Sequence, residues 1–406
     1  MFPKTLLTTL LLALTVAANP VLVDRAPVSL SFSRRVNATS VQHLLKHDQA
    51  RARLFKQKGS AKALNEDAVI SSPVDNQAVS YIASVGVGSP ATQYDLIVDT
   101  GSSNTWVGAG TRYVQTSTST KTSNSVSVSY GSGSFSGTEY TDTVTIGSGL
   151  VITKQSIGVA SRSSGFQGVD GILGIGPIDL TEGTLSSSSQ TIPTVTDNLF
   201  SQGTISAHSI GISFEPSQTG DDLNGEITWG GVDSSKYTGS ITYIPVTSTS
   251  PASAYWGINQ SIKYGSTSIL STTAGIVDTG TTLILIATNG FNKYKSATGA
   301  TLDNNTGLLT ISSSNFNKLQ SLFFTAGGTT FELTANAQIW PRALNTDIGG
   351  SSSKIYLITA DLGSNSGEGL DFINGQSFLE RFYSVFDTAN KRVGLATTPF
   401  TTATSN

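Results

Sequence analysis

The sequence predicts an all-β protein, and three observations carry that prediction. Of its 406 residues, 111 are Ser or Thr and only 13% are charged, a balance typical of strands and turns rather than of helices. Downstream of the first 70 residues, apolar and polar residues alternate in short runs such as 79–85 and 140–146. Turn residues, above all the 41 glycines, separate these runs. The length allows two domains with their own cores.

Helices are predicted to be few and short. The best candidates in the body of the chain are residues 194–202 and 377–381. A weakly helical pattern also covers 41–58, in a region of different composition.

The N-terminus has the layout of a secretory signal peptide over residues 1–18. Lys4 precedes a mainly apolar run over 6–18, which ends on small residues of the kind that signal peptidase reads. Such a run is too short to span a bilayer as a helix, and no later stretch is long and uncharged enough, so no membrane partner is expected. The product is predicted to be secreted and extracellular.

Residues 19–66 form a basic region that differs from everything after it. Residues 1–65 carry ten Lys or Arg against two Asp or Glu, whereas the remainder has a net charge of −11. Because opposite charges attract at low ionic strength, the basic region is predicted to be a removable pro-segment that docks on the acidic body. A disordered basic tail is the alternative. The acidic body argues against a nucleic-acid partner.

The composition also excludes several kinds of chemistry. There is no Cys, which removes disulfides, thiolate catalysis and cysteine metal sites. Only three His occur, and His208 alone lies downstream of the basic region. The body of the chain therefore has too few histidines for a histidine-rich metal centre and little basis for a histidine-based triad. No metal or cofactor is expected.

One motif occurs twice, at 96–103 and 275–282. In each copy an apolar run leads into an Asp-Thr-Gly triplet followed by a hydroxyl residue, and the two aspartates, Asp99 and Asp278, are 179 residues apart. This pattern describes a buried strand that ends in a tight turn presenting a carboxylate. The hydroxyls of Ser102 and Thr281 are placed to hydrogen-bond those carboxylates.

The repeat has two interpretations. It can be a pair of structural Asx-turns, each satisfying its own backbone. It can also bring two carboxylates to one site, where like charges keep one proton between them and provide a general base beside a general acid. Such a pair could activate water for the hydrolysis of an amide.

These residues resemble the pepsin-like aspartic endopeptidases. The resemblance covers about residues 66–400 and, since the chain has no Cys, is greatest to the polyporopepsin-type fungal secreted enzymes. It implies a bilobal fold of two β lobes related by a pseudo-two-fold, with lobes at 67–245 and 246–406 and a substrate cleft between them. The segments that carry it are 99–107, 129–134, 170–176, 278–281, 372–381, 382–387 and 393–396.

The resemblance also implies roles for single residues. Asp99 and Asp278 would be catalytic, and Tyr130, on a flap over the bound peptide, would bond the indole of Trp106. Thr100 and Thr279 would brace the two turns against each other. The residues supporting the dyad would be Thr100, Gly101, Ser102, Thr279, Gly280 and Thr281, and the flap and substrate-binding residues would be Tyr130, Gly131, Ser132, Trp106, Ile97, Ile172 and Ile276.

Some positions depart from the family pattern. Asn374 and Gln376 replace an apolar residue and an acid; the buried Asn374 amide needs a partner and is expected not to touch the catalytic residues. Ser132 stands where relatives that cleave after Lys carry an Asp. We therefore expect cleavage between bulky apolar or aromatic residues and weak cleavage after Lys. The resemblance also implies that the pro-segment is an intramolecular inhibitor covering the acidic cleft, with a Lys or Arg, here expected to be Lys46, pairing with the dyad.

The remaining expectations concern processing, assembly and rival functions. Both half-sites lie in one chain, which favours a monomer acting on protein or peptide substrates, and the mature chain is expected to start near residues 65–75. Asn37, Asn259 and Asn304 are candidate glycosylation sites. A glycoside hydrolase with two carboxylates and a binding protein that has lost catalysis are the alternative functions. Neither explains two intact Asp-Thr-Gly turns.

Overall fold

The chain folds mainly into strands, which confirms the all-β class. A computed structural model describes residues 26–36, 44–64, 79–131, 133–187, 190–219 and 221–406. The strands are β1 (Val28–Val36), β2 (Val79–Val87), β3 (Thr92–Asp99), β4 (Trp106–Val107), β5 (Thr120–Ser129), β6 (Ser134–Gly147), β7 (Leu150–Ser164), β8 (Gly171–Gly174), β9 (Ser209–Phe214), β10 (Asp221–Trp229), β11 (Thr238–Pro245), β12 (Gly257–Tyr264), β13 (Thr267–Val277), β14 (Ile284–Ile286), β15 (Thr301–Leu302), β16 (Leu309–Ile311), β17 (Leu322–Ala326), β18 (Thr329–Leu333), β19 (Ile355–Tyr356), β20 (Thr359–Asp361), β21 (Phe372–Asn374), β22 (Phe382–Asp387) and β23 (Arg392–Thr397). The helices are α1 (Leu44–Leu64), α2 (Val195–Ser201), α3 (Thr288–Thr298), α4 (Ser313–Phe316) and α5 (Gln376–Leu379).

The strands of the described residues form three sheets. A 13-stranded sheet has the order β11-β23-β22-β9-β10-β1-β2-β3-β8-β4-β7-β6-β5, a 7-stranded sheet has the order β18-β17-β12-β13-β21-β14-β20, and a 3-stranded sheet has the order β15-β16-β19. The last strands of the chain, β22 and β23, thus join the sheet built mainly from its first half. The lobe boundaries at 67, 245 and 406 remain predictions.

The same three-strand arrangement appears in both large sheets. β3 runs parallel to β8, and its last residue, Asp99, lies opposite Gly174 of β8. β4 pairs antiparallel with the other edge of β8. In the second sheet β13 runs parallel to β21, and β14 pairs antiparallel with β21. A side chain at Gly171 would overlap the carbonyl of Trp106, and one at Gly375 would overlap that of Leu283. Glycine therefore allows the close strand approach in each half.

The basic N-terminal region is built into the fold. β1 pairs antiparallel with both β10 and β2, so it lies in the middle of the large sheet. α1 spans 21 residues, three times the length of α2. The weakly helical pattern predicted over 41–58 thus corresponds to a real helix, which begins three residues later and ends six residues beyond the prediction. Packing on the body supports it beyond its own weak pattern.

The other helices match local signals unevenly. α2 starts at the predicted place, with a capping box in which the Asp197 backbone N–H donates to Thr194 and the Asp197 carboxylate accepts in return. α5 lies one residue before the predicted start at 377. α3 was not predicted, although Gly299 ends it in a left-handed conformation with φ 65°, a common helix stop. None of the helices in the described ranges is long and apolar enough to cross a membrane.

Candidate active site

The two Asp-Thr-Gly turns have the same internal geometry. Asp99 ends β3 and Asp278 directly follows β13, and both are buried. In each turn the glycine N–H donates to the inner carboxylate oxygen, from Gly101 to Asp99 Oδ1 at 2.9 Å and from Gly280 to Asp278 Oδ1 at 3.1 Å. Each aspartate is thus fixed by its own turn, as an Asx-turn would be.

The hydroxyls predicted to orient the carboxylates do so. Ser102 Oγ donates to Asp99 Oδ2 at 2.5 Å, and Thr281 Oγ1 donates to Asp278 Oδ2 at 2.5 Å. Such bonds favour the ionised form of the acceptor and restrain its rotation. The pattern of the repeat therefore gives the side-chain contacts correctly in both copies.

The two turns face each other, which separate Asx-turns do not require. A Cβ atom at Gly101 would lie 2.6 Å from Asp278 Oδ1, and one at Gly280 would lie 2.6 Å from Asp99 Oδ1. The glycine of each turn therefore makes room for the carboxylate of the other. The structure brings Asp99 and Asp278 to one place.

Two threonines connect the turns as predicted. The Thr100 N–H donates to Thr279 Oγ1 at 3.0 Å, and the Thr279 N–H donates to Thr100 Oγ1 at 2.9 Å. Thr279 Oγ1 also donates to the Val98 carbonyl at 2.9 Å. These buried bonds fix the distance between the halves at the site.

A single cation from α1 lies between the carboxylates. Arg51 donates from Nε to Asp278 Oδ2 at 2.8 Å and from Nη2 to Asp278 Oδ1 at 3.0 Å, and the same Nη2 contacts Asp99 Oδ1. The pairing cation is therefore Arg51, and the prediction of Lys46 was wrong. Only a residue on the buried face of α1 reaches the dyad, and Lys46 does not lie on that face.

The two carboxyls have opposite pKa shifts. Burial, followed by the charge of Asp278, raises the pKa of Asp99 against the attraction of Arg51. Burial also opposes the charge on Asp278, but the Arg51 guanidinium and the hydrogen bonds of the turn outweigh it and lower the pKa of Asp278. Burial likewise disfavours the charge on Arg51, yet the two carboxylates raise its pKa above the ordinary value. The pKa of Asp278 thus lies below that of Asp99 in this form.

The flap residues lie over α1 and belong to an apolar cluster. Tyr130 and Trp106 are buried together, with ring centroids 6.4 Å apart. By hydrogen-bond geometry the Tyr130 hydroxyl and the Trp106 indole N–H bond neither each other nor another described residue, so the predicted bond between them is absent here. Gly131 has φ 80°, and a Cβ there would lie 2.7 Å from the Ala50 carbonyl. Ser132 lies outside the described residues.

The three isoleucines predicted to line the cleft separate into two groups. Ile97 and Ile172 belong to the same buried cluster as Trp106 and Tyr130. Ile276 is fully buried in the main core instead. Contact of all three with substrate remains a prediction.

The sequence interpretation missed that α1 fills the site with several residues. Asp48 accepts from the backbone N–H groups of Thr282 at 3.3 Å and Leu283 at 2.8 Å. Phe55 lies under the Arg51 guanidinium at 4.7 Å and against Tyr255, with ring centroids 4.8 Å apart. Positions 48, 51 and 55 follow the i, i+3, i+7 spacing of one helix face, a signal that could have identified them.

The departures at Asn374 and Gln376 have partners. Asn374 Nδ2 donates to Gln260 Oε1 at 2.9 Å, and Gln260 Nε2 returns a bond of 3.3 Å to Asn374 Oδ1. The predicted need for a partner is thus met. The expectation that Asn374 avoids the catalytic residues was wrong for its backbone, because its carbonyl accepts from the Asp278 N–H at 3.1 Å. Gln376 Nε2 donates to the Thr279 carbonyl at 2.8 Å.

Matched turns that place two buried carboxylates at one point, at the ends of two related strands, define an aspartic protease. The described residues contain no group of three or more metal-ligating side chains. The chain belongs to the eukaryotic aspartyl protease family, whose model matches residues 80–398, and it is an aspartic endopeptidase.

Similar proteins agree with this assignment. The chain is 73% identical to polyporopepsin of Irpex lacteus over 336 residues, which covers 82% of this chain and 98% of that protein. It is 32% identical to pepsin A of Sus scrofa, over 83% of this chain and 85% of the relative. The crystal structure of the aspartic proteinase from Irpex lacteus superposes with a TM-score of 0.81 at 64% identity, covering 94% of this chain and all of that one.

Proposed function

We propose that this aspartic endopeptidase is made as a secreted zymogen and acts in acid, with Asp99 and Asp278 as its catalytic pair. The observation that carries the proposal is the contact of one Arg51 nitrogen with both carboxylates, since it requires them to converge on one point. A substrate carbonyl and a water can meet the same two groups once that nitrogen has left.

The proposed mechanism uses one proton shared by the pair. The ionised carboxylate takes a proton from water as the water oxygen attacks the scissile carbonyl carbon. At the same time the protonated carboxyl gives its proton to the carbonyl oxygen. The C–N bond of the resulting tetrahedral intermediate then breaks, and the leaving amine takes a proton from the dyad. Ser102 and Thr281 hold the outer oxygens, so the inner ones face the substrate.

Hydrolysis of a denatured protein near about pH 4 tests this mechanism. We expect the activated enzyme to be blocked by pepstatin and to lose at least about 1000-fold in rate in Asp99→Asn and in Asp278→Asn. A wild type that binds pepstatin without cleaving would identify a binding protein, the alternative function. Activity that survives both substitutions would contradict the assignment.

The zymogen proposal rests on α1 and its charges. Arg51 and Asp48 hold the cleft from the same helix face, and Lys58 Nζ adds a bond of 2.8 Å to the Ser129 carbonyl at the flap. Burial and the charge of Arg51 lower the pKa of Lys58 to about 8. The family model begins at residue 80, downstream of this helix, which agrees with a mature chain starting near residues 65–75.

Acid should release the pro-segment. The raised pKa of Asp99 means that this carboxyl gains its proton first as the pH falls, and the lowered pKa of Asp278 means that it gains one later. Each protonation removes part of the attraction for Arg51, which keeps its charge. Docking is therefore strongest above the range in which Asp99 titrates and is lost below that of Asp278.

A pair of substitutions on α1 tests the inhibition. Arg51→Met keeps an apolar stem beside Phe55 but removes the charge, and we expect it to activate at higher pH and at least about 10-fold faster than wild type. Arg53 is exposed on the same helix, so Arg53→Met should activate like the wild type. Equal activation rates for the two variants would show that the dyad contact does not inhibit.

Bulky apolar or aromatic residues at the scissile bond are the proposed preference. The packing of Phe55 against Tyr255 supports an aromatic-accepting surface beside the dyad. We expect peptides with Phe at the cleaved bond to exceed matched Lys peptides in kcat/KM by at least about 10-fold. Efficient activation of trypsinogen, which requires cleavage after Lys, would contradict this preference.

Among the glycosylation candidates, we propose Asn304 as the modified site. Both side chains are exposed, but Asn304 lies in a turn, whereas Asn259 lies within β12, where its Oδ1 accepts from Thr247 Oγ1 at 3.0 Å. Asn37 lies outside the described residues. Secretion from a eukaryotic host, followed by glycosidase treatment and mass spectrometry, should give a mass loss in wild type and Asn259→Gln but none in Asn304→Gln.

We also propose that the enzyme is a monomer. Gel filtration of the same secreted material tests this state.

A further inference from the structure

Gln376 is placed to hold the Asp278 turn from behind. It begins α5, is 2% exposed, and follows Gly375 at the end of β21. Its side-chain Nε2 donates to the Thr279 carbonyl at 2.8 Å, and its backbone N–H donates to the Thr281 carbonyl at 2.8 Å. One residue thus fixes the turn on both sides of Gly280.

The Asp99 turn has no such side-chain contact at the corresponding place. There Ile175 follows Gly174, and its backbone N–H donates to the Asp99 carbonyl at 2.9 Å. The side chain of Ile175 is buried in the main apolar core. The amide at Gln376 is therefore a feature of the Asp278 half alone.

Only one of the two polar atoms of the Gln376 amide has a hydrogen-bond partner in the described structure. Gln376 Oε1 is buried and has no hydrogen-bond partner among the described residues. A buried acceptor without a partner destabilises the fold, and an apolar side chain of similar length would remove that penalty. The contribution of a glutamine at this position is therefore the hydrogen bond from Nε2 to the Thr279 carbonyl.

We propose that Gln376 is a positioning residue, which holds the Thr279 carbonyl and thereby the Asp278 carboxylate in the orientation that the reaction needs. This inference rests on the proposed catalytic role of Asp278. Because an amide neither gains nor loses a proton between pH 2 and 8, the contact is the same at every pH at which the enzyme works. A carboxyl at this place would keep the contact only while protonated.

Two substitutions separate positioning from packing. In activated enzyme titrated for active sites with pepstatin, Gln376→Met should lower kcat about 10-fold, with KM within about two-fold. Its Tm should stay close to that of the wild type, because removal of the unpaired Oε1 offsets the loss of the donor to the Thr279 carbonyl. Gln376→Glu should restore kcat at low pH, where its carboxyl donates to Thr279. It should lose that gain as the pH rises, whereas the loss in Gln376→Met should not depend on pH.

Gln260→Met is the matched control. It removes a buried amide of β12, which bonds the Asn374 side chain and, among the described residues, forms no side-chain hydrogen bond with the Asp278 turn. We expect a lowered Tm and a kcat per active site within about two-fold of wild type. The two amides should thus show opposite effects on rate and stability.

The proposal is overturned if Gln376→Met keeps its kcat, if its kcat falls only together with its Tm, or if Gln376→Glu matches Gln376→Met at every pH. A result that contradicts the proposed catalytic role of Asp278 would be distinguishable from these outcomes. Asp278→Asn would then remain active, whatever the behaviour of Gln376.

Discussion

The Asp99 turn and the Asp278 turn make the same hydrogen bonds in different surroundings. Each aspartate accepts from the glycine two residues on and from the hydroxyl three residues on. Arg51, however, forms two bonds with Asp278 and a single contact with Asp99. Thr281 is fully buried, whereas Ser102 is partly exposed.

These differences show how a repeated motif produces two chemically distinct groups. Local sequence sets the geometry of each turn, and the neighbours that each half meets set the protonation of its carboxyl. The pKa of Asp99 is raised and that of Asp278 is lowered although their own turns match. In this form, with α1 docked, the difference between the two carboxyls therefore comes from tertiary contacts, including that of Arg51.

Alanine at either turn glycine should have the largest effect. In Gly101→Ala or Gly280→Ala the new Cβ would press on the carboxylate of the opposite turn, so we expect kcat/KM to fall at least about 100-fold in both. Steady-state kinetics on enzyme with a native circular dichroism spectrum checks this. A substitution tolerated in one turn only would break the equivalence of the two.

A buried carboxyl in the half that carries Asp99 should make stability depend on pH. Burial raises the pKa of Glu139 to about 7, although the hydrogen bond from Ser156 opposes the shift. Stability from this group is therefore complete below the ordinary pKa and is lost as the pH rises through the raised one. We expect Glu139→Gln to gain on the order of 2 kcal/mol at pH 8 and little at pH 4.

Thermal unfolding at both pH values measures that gain. Asp142, on the same strand, is the matched control: burial opposes its charge, but hydrogen bonds from its neighbours lower its pKa. Asp142→Asn should therefore lose stability, and more at pH 8 than at pH 2. A gain of equal size at both pH values in Glu139→Gln would show that its charge is not responsible.

Removing the outer hydroxyls should have smaller and separable effects. Thr281→Ala removes a bond that favours the ionised Asp278, so the acid limb of the pH profile should move up by about one unit. We assign the alkaline limb to Asp99, whose pKa is the higher of the two in the docked form, so Ser102→Ala should move that limb up by a smaller amount. Profiles of kcat/KM against pH give both limbs. A shift of the same limb in both variants would mean that the turns are interchangeable.

The sequence was sufficient for the parts of the site that follow from local chemistry. The repeat predicted Asp99 and Asp278 and their hydroxyl partners, because these contacts lie within each short motif. The bonds between Thr100 and Thr279 were implied by the family resemblance. Alternating runs likewise predicted the all-β class. The contacts within each turn and the strand pattern need no knowledge of how distant segments pack.

Contacts that depend on the packing of one distant segment could not be obtained this way. The charge contrast predicted that the basic region docks on the body, and the family resemblance implied that a basic residue meets the dyad. Neither distinguishes Lys46 from Arg51, since that choice depends on the rotation of α1 about its axis. The bond from Gln376 to Thr279 joins segments 97 residues apart and has no local signal. The partner of Asn374, Gln260, is equally remote in sequence.

The central claim is that the two turns hold one proton between them, and the pH profile of the mature enzyme tests it most directly. With the pro-segment removed, kcat/KM for a peptide without titratable groups should be bell-shaped, with one limb for each ionisation of the dyad. Asp99→Asn and Asp278→Asn should abolish the activity and both limbs. A profile with a single limb, or a bell that persists in either variant, would contradict the account.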